Sequence, residues 1–175
     1  MTSGDNVDIV VVSPIRVRAY QRSAPSTTFL MPSDQFWDEN EVLVSRPTRN
    51  YTVKDYQQFF KDINYETGYE MRLNTQNLVY NLEPPNVELH CLYGVGMKTP
   101  GKFVFNKEKD FPDVQPSVVY DDGDGTVNLR SLQGWKRWIG KQPHPISYKE
   151  FSGVEHVATL RYQPVIDYIM QLFLN

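Results

Sequence analysis

The sequence predicts an α/β fold: an incomplete sheet with flanking helices. Three observations carry this. Short β-branched and aromatic runs read as strands. Segments with apolar residues at helical spacing lie between them. The two kinds of segment alternate along the chain, the pattern of a sheet packed by helices. At 175 residues, 40% hydrophobic and 13% aromatic, the chain has material for one core and the composition of a globular protein.

Residues 7–12 (Val-Asp-Ile-Val-Val-Val) form the first predicted strand, closed by Ser13-Pro14. Residues 16–40 are irregular, with Pro25 and Pro32, yet carry Phe29, Leu30, Met31, Phe36 and Trp37. So apolar a loop is expected to pack beneath other elements. Residues 52–63 read as a helix, with Thr52 and Asp55 at capping-box spacing and Val53, Tyr56, Phe59, Phe60 and Ile63 on one face. A second helix is expected over 68–82, stopped by Pro84-Pro85. Residues 87–93 read as a buried strand ending at Gly94-Val95-Gly96, and shorter strands are expected at 102–105, 117–120 and 146–151. After Pro164, a first-turn position, Val165, Tyr168, Ile169, Leu172 and Phe173 predict a closing helix. No internal repeat or low-complexity tract is found.

The formal net charge is −3, with no run of lysines or arginines. Binding to nucleic acid needs clustered cations that displace counterions from phosphates, so that class of partner is excluded. No apolar stretch approaches the ~20 residues of a membrane span. The N-terminus lacks the charged and apolar regions of a signal peptide, so the chain is expected to be intracellular or a piece of something longer. One cysteine, Cys91, cannot build an internal disulfide framework.

Residues 121–126, Asp-Asp-Gly-Asp-Gly-Thr, set three carboxylates among two glycines. The plain reading is a solvated turn. A calcium loop fails: starting the pattern at Asp122 puts Val127 at its glycine position and Gln133 at its bidentate glutamate. Asp124, flanked by Gly123 and Gly125, suits a carboxylate held in a tight bend to orient an imidazole. Of the three histidines, His90 lies in a strand beside Cys91, and His144 lies between Pro143 and Pro145 in a loop. His156 follows Gly153 and precedes a helix, leaving its ring free. Imidazole titrates near neutrality and is the natural general base for a hydroxyl. Asp124 and His156 both follow strands, where functional groups of open α/β sheets gather.

In that order they match the last two members of a Ser, Asp, His acyl-transfer triad. The serine is missing: no Gly-x-Ser-x-Gly or Ala-x-Ser-x-Gly occurs. Cys91, mid-strand among Leu89, Leu92 and Tyr93, is a poor substitute nucleophile. No two histidines, nor His with Cys, have ligand spacing on one helix, and neither a metal nor another cofactor is expected. Asn50-Tyr51-Thr52 is a glycosylation acceptor on an expected surface loop. Trp135 and Trp138 are expected to share one helix face.

These blocks together carry a resemblance. Ser3-Gly4-Asp5-Asn6, Gln21-Arg22-Ser23-Ala24, Asn50-Tyr51-Thr52 with Asp55-Tyr56, His90-Cys91-Leu92-Tyr93-Gly94, the block from Asp122 to Leu129, and Glu155-His156 resemble the C-terminal portion of one family. That family contains lysosomal phospholipase A2 (group XV) and lecithin–cholesterol acyltransferase, and the match runs over essentially the whole chain. The resemblance implies that residues 1–175 are the C-terminal part of one α/β-hydrolase domain whose nucleophile-bearing N-terminal part is absent. It implies Asp124 as triad acid and His156 as triad base, with Thr126 a candidate to tune the acid. The implied activity is cleavage of an acyl chain from a glycerophospholipid through an acyl-serine, then transfer to water or a lipid alcohol. The implied partners are a phospholipid substrate, a lipid-alcohol acceptor and, for the intact protein, a membrane surface. The implied location is lysosomal or secreted.

The chain departs from the family pattern twice. The nucleophile, the oxyanion-hole residues and the membrane-binding portion would all lie upstream of Met1. In the family the cysteine matching Cys91 is disulfide-bonded, and the partner position here is Trp135, so Cys91 is expected to be a free buried thiol. The chain alone is therefore expected to be inactive and poorly stable, with an unpaired sheet edge. The competing expectation is a non-catalytic lipid-binding or interaction module descended from the enzyme; a weaker third is a fragment with no function of its own.

Overall fold

A computed structural model describes residues 21–79 and 81–174; the strand expected at 7–12 lies outside them. In chain order the elements are α1 (Pro25–Phe29), β1 (Val44–Arg46), β2 (Arg49–Tyr51), α2 (Tyr56–Asp62), α3 (Glu66–Thr75), β3 (Leu89–Val95) and β4 (Met97–Val104). There follow β5 (Ser117–Gly123), α4 (Leu129–Leu132), β6 (Ile146–Ser152) and α5 (Gln163–Leu174). Single 3₁₀ turns cover Glu108–Asp110, Gly134–Trp138 and Val157–Arg161. The mixed α/β class is as expected, but the strands form two sheets. One has four strands in the order β2-β1-β4-β5; the other is the pair β3-β6.

The chain divides into two units: Met1–Leu82 with Lys102–Val119, and Glu83–Gly101 with Tyr120–Asn175. In the first, β1 and β2 make an antiparallel hairpin with Val44 opposite Tyr51 and Arg46 opposite Arg49, and β1 runs parallel to β4 at Phe103 and Val104. Its core joins Met31, Trp37, Leu43, Tyr51, Tyr56, Phe59, Phe60 and Ile63. The apolar loop therefore packs, as expected, although Leu30 is left outside. Rings meet edge to face at Tyr51–Phe59, 5.4 Å apart, and Phe59–Phe60, 5.5 Å apart, a favoured arrangement of aromatic pairs.

Beside this core, Asp62 gathers polar groups. Its carboxylate accepts from the Tyr51 hydroxyl at 2.6 Å, Gln58 Nε2 at 2.7 Å and Arg46 Nη2 at 2.7 Å. Burial alone would raise the Asp62 carboxyl, but these hydrogen bonds and the charges of Arg46 and Arg49 outweigh it and hold it below its ordinary value. Burial, and then the bond to Asp62, push the Tyr51 hydroxyl up.

Two expected helices are shorter than the sequence pattern implied. The first begins at Tyr56, because Asp55 Oδ2 turns back to accept the Thr52 N–H at 2.9 Å and the Thr52 hydroxyl at 3.0 Å, closing a turn ahead of the helix. The second ends at Thr75, whose hydroxyl bonds back to Met71 O at 2.9 Å. Beyond it Leu78 and Val79 are exposed, and a segment with nothing to pack against lacks the main source of helical stability.

In the second unit β3 and β6 run parallel in unbroken register from Leu89 opposite Ile146 to Val95 opposite Ser152. The strand expected at 87–93 is thus shifted by two residues, and Gly94 and Val95 belong to it. The strand expected at 102–105 proves to be the end of a longer one, Met97–Val104, that passes through Pro100 and stops before Phe105, and β5 runs on to include Asp121 and Asp122. The closing helix lies where expected, with Val165 buried but Ile169, Met170, Leu172 and Phe173 exposed. Among the described residues no helix is long and apolar enough to cross a membrane.

Candidate active site

Asp124 and His156, far apart in sequence, meet. Asp124 is the first residue after β5, and His156 stands just before the 3₁₀ turn that follows β6. They thus follow strands of two different sheets, not of one. His156 Nδ1 lies 2.8 Å from Asp124 Oδ2. The backbone repeats the contact: His156 N–H donates to Asp124 O at 2.9 Å.

The other carboxylate oxygen is pinned by main chain. Asp124 Oδ1 accepts the Thr126 N–H at 3.1 Å and the Val127 N–H at 2.8 Å. The Asp-Gly-Thr-Val bend is therefore a turn closed by the aspartate's own side chain, a habit of Asp in turns. It is not a solvated loop, because Asp124 is only 3% exposed. Thr126 meets Asp124 through its backbone N–H; the residue itself is exposed.

A neighbour holds the bend from outside it. Thr99, fully buried on β4, accepts the Gly125 N–H at 2.9 Å and donates its hydroxyl to Met97 O at 3.0 Å. Packing is close enough to demand glycine twice. A Cβ on Gly123 would lie 2.2 Å from Val127 O and 2.5 Å from Thr99 Oγ1. A Cβ on Gly94 would lie 1.8 Å from Val154 O, in the loop that carries His156. Sequence reading missed Thr99, Val127 and Gly94. Val127 could have been found from the Asx-turn spacing; no local signal marks Thr99.

A carboxylate oxygen accepts, so Nδ1 carries the proton donated to Asp124 and Nε2 is left as the basic nitrogen. The His156 side chain is 49% exposed, and no described residue hydrogen-bonds its Nε2. A fixed tautomer with an accessible basic nitrogen can take a proton from a hydroxyl and return it.

The remaining sequence candidates lie elsewhere. His90 is held in β3 as expected, its Nδ1 2.8 Å from the Tyr168 hydroxyl and its Nε2 3.2 Å from Glu88. His144 is exposed. Cys91 is free and half-buried, and burial pushes its thiol up. Trp135 is buried and packs on Tyr148 with ring centroids 4.7 Å apart; Tyr148 is the residue opposite Cys91 in β6. Asn50 is exposed but sits in β2, not in a loop. Among the described residues no group of three or more His, Cys, Asp or Glu could hold a metal ion.

The family profile described as lecithin:cholesterol acyltransferase matches residues 1–163. The chain belongs to that family. The family has an α/β-hydrolase-like fold. Over 175 residues the chain is 44% identical to the lysosomal phospholipase A and acyltransferase of Rattus norvegicus, covering all of this chain and 42% of that protein. The protein of the same name from Homo sapiens is 42% identical, with the same coverage. The phosphatidylcholine-sterol acyltransferase of Homo sapiens is 35% identical over 176 residues, covering all of this chain and 40% of that protein. The chain thus spans about two fifths of the length of these relatives.

Proposed function

We propose that this chain supplies the acid and base of a Ser-Asp-His triad in a lipid acyl hydrolase and O-acyltransferase. The single observation that carries the reading is the Asp124–His156 pair: a 2.8 Å contact whose carboxylate is pinned by two backbone N–H groups and whose other imidazole nitrogen is accessible. Residues 1–175 form the C-terminal part of one α/β-hydrolase domain, and the serine lies in the part upstream.

In the proposed reaction His156 Nε2 takes the serine proton as the hydroxyl attacks the glycerophospholipid ester carbonyl. The imidazolium then returns that proton to the leaving lyso-lipid alkoxide, and an acyl-serine remains. A water or a lipid alcohol enters, loses its proton to the same nitrogen, and carries the acyl group away. Asp124 holds the ring's orientation throughout and stabilises the imidazolium by accepting the Nδ1–H bond. Thr99 and the amides of Thr126 and Val127 keep Asp124 in position. No cofactor or metal enters this scheme. The partners are a phospholipid substrate, a lipid-alcohol acceptor and the membrane surface that holds both, with no nucleic acid. The intact protein is lysosomal or secreted, and Asn50 is its glycan acceptor in this chain.

The test is acyl release and transfer on phosphatidylcholine vesicles carrying a lipid alcohol. It compares the 175-residue chain with the product of the same reading frame extended upstream through a Gly-x-Ser-x-Gly sequence. The expected result is turnover by the extended protein and none by the chain alone. A reading frame that starts at Met1 and yields a cooperatively folded, vesicle-binding product would favour the non-catalytic lipid-binding module instead.

A further inference from the structure

Within the first unit, Arg72 is a buried cation that no carboxylate among the described residues neutralises. It lies on α3 and is 9% exposed. Its Nη1 reaches Thr28 O and Phe29 O, each at 3.4 Å, the long limit of hydrogen bonding. Its Nε is buried with no hydrogen-bond partner, and its guanidinium carbon lies 5.4 Å from the centre of the Tyr56 ring. Among the described residues no acid pairs with it. Arg46 in the same unit is the contrast, gripping Asp62 and Glu108 at 2.7 Å each. A guanidinium has five N–H donors and keeps its charge, and a buried charge left unpaired is costly.

Arg72 also lines a cavity of about 290 Å³ together with Ser33, Asp34, Glu39, Lys54, Tyr56 and Gln76. Most of the polar wall is already engaged. The Glu39 carboxylate pairs with the Lys54 ammonium, the Tyr56 hydroxyl donates to Pro32 O at 2.7 Å, and the Ser33 hydroxyl donates to Asp34 at 3.2 Å. The donors left for an occupant are the Arg72 guanidinium, the Gln76 side-chain amide and the Lys54 N–H groups not given to Glu39.

We propose that this cavity binds a monoanionic oxyanion, a carboxylate or a phosphodiester, through Arg72 and Gln76. The single charge follows from Asp34, which faces the same cavity and repels a second negative charge. An oxyanion can accept from the guanidinium N–H groups of Arg72 that line the cavity, though not from Nε, which is sealed from solvent. The site is independent of the Asp124–His156 pair and stands whether or not that pair is catalytic.

The experiment is calorimetric titration of the 175-residue chain at constant ionic strength with acetate, dimethyl phosphate and sulfate. Saturable binding of acetate or dimethyl phosphate is expected, at least about tenfold tighter than sulfate, and the tighter of the two identifies the class. Gln76→Glu places a carboxylate one helical turn from Arg72; it is expected to abolish the binding and raise the melting temperature. Arg72→Gln is expected to abolish it too. Because that variant removes a buried group and can lose the fold, Gln76→Glu is the deciding one. No saturable binding by either monoanion, or binding by Gln76→Glu equal to wild type, overturns the proposal.

Discussion

The two units of this chain are held in different ways. The first closes on its own aromatic core, with Tyr51 and Phe60 almost fully buried and an ion-paired Asp62 at the margin. The second buries few large apolar side chains among its described residues, Tyr93, Trp135, Val154 and Val165. It leaves Leu160, Ile169, Met170 and Phe173 exposed while fixing Asp124 and His156 with backbone hydrogen bonds. Packing stabilises the first unit, and the second spends its order on one polar contact. Exposed apolar side chains gathered on one helix are a surface that other protein can cover.

The sharpest way to break this comparison is to truncate one side chain in each unit. Phe60→Ala is expected to cost about 3–5 kcal/mol. Phe173→Ala, at 83% exposure, should change stability by no more than about 0.5 kcal/mol. Urea denaturation of both variants checks this, and equal losses would erase the distinction. Next in size is Gly94→Ala, which sets a methyl against the Val154 carbonyl and should cost on the order of 3 kcal/mol. It should also displace the His156 ring N–H proton resonance, so an unchanged spectrum would mean that the close approach does not position the histidine.

Smaller still is the acid response of the first unit. Asp62 is held below its ordinary value in the fold, so its contribution is present above the unfolded value and fades as pH falls through the folded one. Stability should therefore hold from neutrality to about pH 4 and decline below it. Asp62→Asn should cost about 1–3 kcal/mol at neutral pH and flatten that decline, as seen by denaturation at a series of pH values. The smallest effect concerns Cys91: burial raises its thiol, so iodoacetamide should modify it several-fold more slowly than free cysteine.

Most of the site was legible because its signals are local. Asp124 stands between two glycines after a strand, His156 follows a glycine-containing loop, and chain order supplied their relation. Thr99 was not legible, because its part is played through a hydroxyl that reaches the Gly125 amide from another strand. The strands at 117–120 and 146–151 and the last helix could be read from composition and period. The hairpin of β1 and β2 could not: its three-residue strands carry Arg46, Arg49 and Asn50, and only the burial of Tyr51 sets their register. In the first unit α1 was not read, because residues 16–40 look irregular, and α2 and α3 were read too long, since periodicity registers a face but not whether anything packs on it. The division into two sheets is a matter of long-range pairing, which no local pattern encodes.

The central claim is that Asp124 and His156 act as one unit in acyl transfer. The most direct measurement is phospholipid turnover by the extended, serine-containing protein and its Asp124→Asn, His156→Ala and doubly substituted variants. The account predicts that His156→Ala lowers turnover by at least about a thousandfold, with Asp124→Asn also severe and the double variant no worse than the worse single. Turnover within about tenfold of wild type in His156→Ala, or losses that multiply in the double variant, would contradict it.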